Sequence, residues 1–166
     1  MLRTLLGRQP KEREAARIAK PKRGIPYDPG LVTALTHQHR ELVMLLVKAS
    51  SAAEQCYYSE ATEALTQFKA RLDAHLARED NQLVPYLSHH LWGEGSDALV
   101  REMRANSAQV ERIVRRFLEI YLTRPVDHDS LYEFLIQVER VCEEFSRQVE
   151  QEEMAFYSLY MGPEAY

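Results

Sequence analysis

The chain has 166 residues, 45% hydrophobic and 28% charged, which suits one soluble globular domain and argues against disorder. No stretch approaches the roughly eighteen apolar residues of a membrane span. Residues 1–30 hold eight Lys or Arg against three Asp or Glu, so a balance of +5 leaves −9 on the remainder, and such an acidic body disfavours nucleic acid.

Residues 1–27 read as a basic N-terminal arm, solvated and able to reach an acidic partner. The apolar run in "MLRTLLGRQP" is too short for a secretory signal, and Glu12 and Glu14 argue against a transit peptide. Cys56 and Cys142 are too few and too distant for a disulfide framework or a thiolate cluster. The cytoplasm is the expected compartment.

Asp28 followed by Pro29 predicts a helix start, with Leu31, Leu35, Leu42, Leu46 and Ala49 on one face. A second helix is expected from near Ser59, with a stripe of Leu65, Phe68, Leu72, His75, Glu79, Leu83 and Tyr86. The glycines of "SHHLWGEGS" mark a turn, with Ser96 as the next cap. The third stripe is Leu99, Met103, Val110, Val114, Phe117 and Tyr121. "TRPVDHDS" breaks it, and Ser130 with Glu133 has capping-box spacing. The fourth stripe runs Leu131, Phe134, Val138, Cys142, Phe145, Gln148, Glu152, Phe156 and Leu159. These segments predict an all-α, antiparallel up-down-up-down four-helix bundle over residues 28–160, with 161–166 as a tail.

The polar interruptions carry the chemistry. His39 on the first helix, His75 on the second, Asn106 or Ser107 on the third and Gln148 on the fourth stand at similar depths along their helices. With a rise of ~1.5 Å per residue, they reach one level of the bundle. Glu79 and Glu152 sit one turn beyond their neighbours on the same faces. Burying two carboxylates needs an offset. A divalent iron, zinc or manganese ion supplies one, with imidazoles and carboxylates as ligands. A metal-free hydrogen-bond network supplies another.

The segments "LTHQHRELVMLL", "FKARLDAHLAREDNQLVPYL" and "FSRQVEQEEMAFYSLY" resemble the first, second and fourth helices of the haemerythrin-like (HHE cation-binding) family. "GIPYDPG" and "FYSLY" are similar to a bacterial branch of it. The resemblance implies a four-helix bundle that holds a di-iron centre. Its pattern has a His on helix one, a His-x-x-x-Glu pair on helix two, a His on helix three, and a His with an acid on helix four. Carried over, His39 matches the first ligand, with His37 as second choice. His75 and Glu79 match the helix-two pair, and Glu152 matches the final acid. Ser107 or Asn106 replaces the third-helix imidazole, and Gln148 replaces the fourth. The losses fall mainly on one metal of the pair. The implied cofactor is therefore at most one iron or zinc ion, held by His39, His75, Glu79 and Glu152; a full di-iron centre is not expected.

The expected function is a sensing or regulatory metal-binding bundle, not an enzyme. The alternative is a metal-free interaction protein whose polar layer is structural. Oxidase chemistry of the ferritin-like kind draws on more carboxylates than this layer offers. Aromatics at 57–58, 89–92 and the C-terminus either cap the core ends or meet an unknown protein partner or a second copy. Neither nucleic acid nor membrane is expected as a partner.

Overall fold

The computed structural model describes residues 25–91 and 94–166. The basic segment 1–24, residues 92–93 of the expected turn and the expected cap at Ser96 lie outside the described residues or side chains.

Helix α1 covers Leu31–Glu54, and its buried face is Leu31, Leu35, His39, Leu42, Leu46 and Ala49, the stripe the spacing predicts. Its start differs in detail. Asp28 Oδ1 accepts the Gly30 N–H at 2.9 Å, so Asp28 closes a turn ahead of the helix and Gly30 is the capping residue. The helix ends without glycine. Tyr57 N–H donates to Ala52 O at 2.8 Å and Cys56 N–H to Ala53 O at 2.9 Å, with Cys56 left-handed at φ 62°. This is the double closure usually given to glycine.

The second long helix begins with α2, Tyr58–Arg78, and continues through a π-turn, Glu79–Leu83, into α3, Val84–His90. Helix α4 covers Glu94–Thr123. Helix α5, Leu131–Gln151, continues into a second π-turn, Glu152–Phe156, and a 3₁₀ turn, Tyr157–Leu159. The expected capping box at α5 is not formed. Ser130 Oγ instead donates to Asp127 Oδ1 at 2.6 Å and accepts the Asp127 N–H at 3.0 Å, while Glu133 Oε1 receives Gln137. Asp127 sits three residues before Ser130, so its own turn captures the hydroxyl first.

The four helices form a ring in which α1 packs on α2 and α5, and α4 packs on the same two. Short connections between sequence neighbours make this the antiparallel bundle that the periodicity predicts. No strand occurs among the described residues. No described helix is long and apolar enough to cross a membrane.

Two apolar clusters fill the interior. The larger joins Leu42, Leu46, Leu65, Phe68, Leu72, Val114, Phe117, Phe134, Val138 and Phe145. Phe68 meets Phe145 edge-on at 5.8 Å, and Tyr121 meets Phe134 the same way at 4.9 Å. On α5 the buried position is Val141, and Cys142 is only partly covered. The smaller cluster gathers Leu31, Leu35, Leu83, Leu87, Met103, Phe156 and the ring of Tyr86 with that of Tyr160. Tyr160 Oη accepts the Asp28 N–H at 2.9 Å, and Tyr86 Oη donates to Met161 O at 2.6 Å. The C-terminal aromatics therefore close this end of the bundle. Tyr57 stays exposed at the other end.

The polar layer lies between the two clusters. Leu35 and Leu42 bracket His39; Leu72 and Leu83 bracket His75 and Glu79; Phe145 and Phe156 bracket Gln148 and Glu152.

Candidate metal centre

His39, His75, Glu79, Gln148 and Glu152 are the buried polar residues of the described interior, each no more than 7% exposed. Their spacing on amphipathic helices explains the burial: every one lies on the stripe that its neighbouring leucines and phenylalanines pull inward.

The two imidazoles face each other, with His39 Nε2 at 3.1 Å from His75 Nε2. His39 Nε2 lies 3.4 Å from Glu152 Oε2, and His75 Nε2 lies 3.6 Å from Glu79 Oε1. One ligand atom from each of His39, His75, Glu79 and Glu152 can be chosen so that all four lie within 4.8 Å of one another. Metal–ligand bonds of ~2.0–2.2 Å put opposite ligands about 4 Å apart, so a small contraction closes these four on one ion.

The outer nitrogens settle the orientation of both rings. His39 Nδ1 donates to Glu153 Oε1 at 3.0 Å, and His75 Nδ1 donates to Gln38 Oε1 at 3.1 Å. Each neutral ring then carries its hydrogen on Nδ1 and turns a bare Nε2 inward. Two lone pairs facing each other at 3.1 Å repel unless a proton or a cation stands between them. Metal-ligating histidines are held in this way by an acceptor behind the ring.

The third and fourth helices respond differently. Ser107 Oγ donates to Glu152 Oε1 at 2.8 Å, while Gln148 Nε2 donates to Ser107 Oγ at 2.9 Å and to Glu152 Oε1 at 2.8 Å. Both residues spend their donors on the carboxylate. Asn106 is exposed and lies outside the layer, so Ser107 is the third-helix member. His37 is also excluded: its side chain is 73% exposed and faces Glu41 at 3.8 Å.

Three participants were not on the expected stripe. Tyr157 Oη donates to Glu79 Oε1 at 2.7 Å and stands 3.2 Å from His39 Nε2. Its ring stacks on His39, with centroids 5.4 Å apart and planes inclined by 7°. The π-turn puts it there. Tyr157 N–H bonds to Glu152 O, five residues back, so the residue five along comes round to the same face. Uniform 3.6-residue spacing points Tyr157 elsewhere. Gln38 and Glu153 each neighbour a residue of the stripe and reach it from the flank.

Charge in the layer is distributed unevenly. Burial alone would lower His39, but hydrogen bonds to Glu152 and Glu153 outweigh it and hold its pKa above the ordinary 6.5. Burial, reinforced by the His39 charge, drives His75 down to about 4. Burial and the Glu152 charge push Glu79 up to about 8, against the Tyr157 hydrogen bond. Burial would also raise Glu152, yet bonds from His39, Gln148 and Ser107 keep it below the usual carboxylate value. Without metal these shifts favour an imidazolium at His39 beside Glu152, with His75 and Glu79 neutral. A cation of higher charge would replace that proton and let Glu79 ionise.

A cavity of about 30 Å³ adjoins the group, lined by His39, His75, Glu79, Ser107, Glu111 and Glu152 among others. It has room for an ion or a water molecule and for little more.

The family model described as "Hemerythrin HHE cation binding domain" matches residues 30–160. Neither a curated protein nor a solved structure matches the chain. The matched span contains all four helices and every residue of the polar layer.

Proposed function

The chain belongs to the hemerythrin HHE cation-binding family, and we propose from that premise that it holds a single transition-metal ion on His39, His75, Glu79 and Glu152. The observation that carries the reading is the inward pair of Nε2 atoms, 3.1 Å apart, backed by acceptors at both Nδ1 atoms and flanked by two buried carboxylates. Ser107 and Gln148 contribute no imidazole, and their donors hold Glu152 instead. That supports one ion and opposes a bridged pair.

Iron suits the mixed nitrogen and oxygen set and brings a redox couple; zinc fits the same donors and supplies charge alone. The chain's own part is to orient both rings through Glu153 and Gln38, to exclude bulk water with the two apolar clusters, and to deliver the carboxylates on π-turns. Such turns often mark functional sites. The centre joins the long cluster to the aromatic end, so a change in its charge or occupancy alters the packing between them. We therefore assign a sensing or regulatory role, read out by a protein partner, rather than catalysis.

One observation favours the metal-free alternative. Among the described residues Tyr58 Oη is the buried side-chain polar atom without a hydrogen-bond partner, and it lies outside the layer. The buried polar atoms of the layer thus find hydrogen-bond partners among its own side chains. Elemental analysis after iron- and zinc-supplemented expression separates the readings. One equivalent of metal, lost in His75→Ala and Glu79→Ala, is the expected result. Less than about a tenth of an equivalent in the wild type assigns the layer to structure.

A further inference from the structure

We propose that Tyr157 is a fifth ligand: its phenol oxygen, relieved of its proton, binds the ion beside the two imidazoles and two carboxylates. This deepens the reading of the layer as a metal centre and rests on it. The geometry is that of a donor inside the group. Tyr157 Oη lies 2.7 Å from Glu79 Oε1 and 3.2 Å from His39 Nε2, closer to each than His75 Nε2 lies to Glu79 Oε1, at 3.6 Å. The side chain is 4% exposed, and its ring is held face to face with His39.

The backbone supports the same role. An uninterrupted α-helix after Glu152 would carry Tyr157 away from the layer. The i→i+5 bond from Tyr157 N–H to Glu152 O turns it back onto the face of Glu152. The other buried tyrosines have work elsewhere: Tyr86 bonds Met161 O, Tyr160 accepts from Asp28, and Tyr121 packs on Phe117 and Phe134.

Binding breaks the phenolic O–H bond and forms a metal–oxygen bond from the oxygen lone pair, with no electron transferred; the protons on His39 and Glu79 are released to solvent as well. The proton leaves past Glu79, which already accepts it as a hydrogen bond, to solvent beside Ser107 and Glu111. Metal sites release protons from their ligands in this way. Three oxygens and two imidazoles exceed the four-coordinate set of structural zinc and suit iron(III).

Full-length protein loaded with an iron(III) salt tests this by visible absorption, resonance Raman scattering and iron content. The wild type should show a phenolate-to-iron charge-transfer band with enhanced tyrosinate ring modes. Tyr157→Phe should keep its fold by circular dichroism, retain iron at an affinity lower by ~10-fold or more, and lose both signals. If that variant does not fold, Tyr157→His serves, binding iron without the phenolate band. Bound iron lacking the band in the wild type, or a band that survives in either variant, overturns the assignment of Tyr157. A wild type that takes up no metal overturns the four-residue centre itself, a different failure, identified by iron content alone.

Discussion

Glu79 and Glu152 open matching π-turns on the two bundle helices that run in the same direction, and each follows by four residues the other polar residue of its helix, His75 or Gln148. The backbone correspondence is close, but the chemistry is not. His75 offers an imidazole to the layer, whereas Gln148 offers an amide bonded to Ser107 and Glu152.

Restoring imidazoles on the two depleted helices should therefore enlarge the site. Ser107→His combined with Gln148→His is expected to raise iron content from one towards two per chain, because two-metal centres need ligands on both sides of a pair. Elemental analysis of the double variant reads this directly. A content unchanged at one would mean that these positions do not face a second metal.

The metal-free layer sets a pH profile. Glu79 titrates near 8 when folded against an ordinary 4.5, so the unfolded chain ionises first and stability falls as pH rises between them. His39, raised above 6.5, adds to the loss as pH rises through its folded value. His75, lowered to about 4, acts oppositely: stability falls as pH drops from 6.5 towards 4. Glu152, lowered, adds to the loss on acidification below 4.5. Urea unfolding in the presence of chelator should thus give a maximum in mildly acidic buffer and a decline towards pH 8. The alkaline slope should be on the order of 1 kcal/mol per pH unit. Stability that rises from pH 6 to pH 8 would contradict this charge distribution.

Glu79→Gln separates charge from shape. The amide keeps an acceptor for Tyr157 and cannot ionise. In chelator at pH 8 the variant is expected to match the wild type or exceed it by about 1–3 kcal/mol, since a buried charge is removed. With metal present the ranking should reverse, because a ligand is gone and binding no longer adds to native stability. Thermal melts with and without metal check both halves.

Cys56 holds a left-handed conformation at the end of α1 with an exposed side chain. Non-glycine residues lose roughly 1–2 kcal/mol there. Cys56→Gly should raise the unfolding free energy by about 1 kcal/mol without touching the metal layer. A loss of stability would show that the Cys56 side chain contributes packing.

Much of this was legible in the amino-acid pattern because burial is periodic. The stripe through Leu65, Phe68, Leu72, His75 and Glu79 announces both the helix and its polar intrusion, and His39 and Glu152 follow from the same rule on α1 and α5. What escaped was whatever departs from 3.6 residues per turn. Tyr157 is brought inward by a π-turn that no residue type announces. Gln38 and Glu153 act from beside the stripe, where side-chain length rather than spacing decides reach. The Ser130 hydroxyl went to Asp127 instead of the first turn of α5, a competition between two local partners that spacing alone leaves undecided.

Location of the metal tests the central claim most directly. Crystals of iron-loaded protein, measured at the iron absorption edge, should give one anomalous peak per chain about 2.0–2.2 Å from Nε2 of His39 and His75 and from carboxylate oxygens of Glu79 and Glu152. An empty layer, or iron found only at surface histidines such as His89, would contradict it.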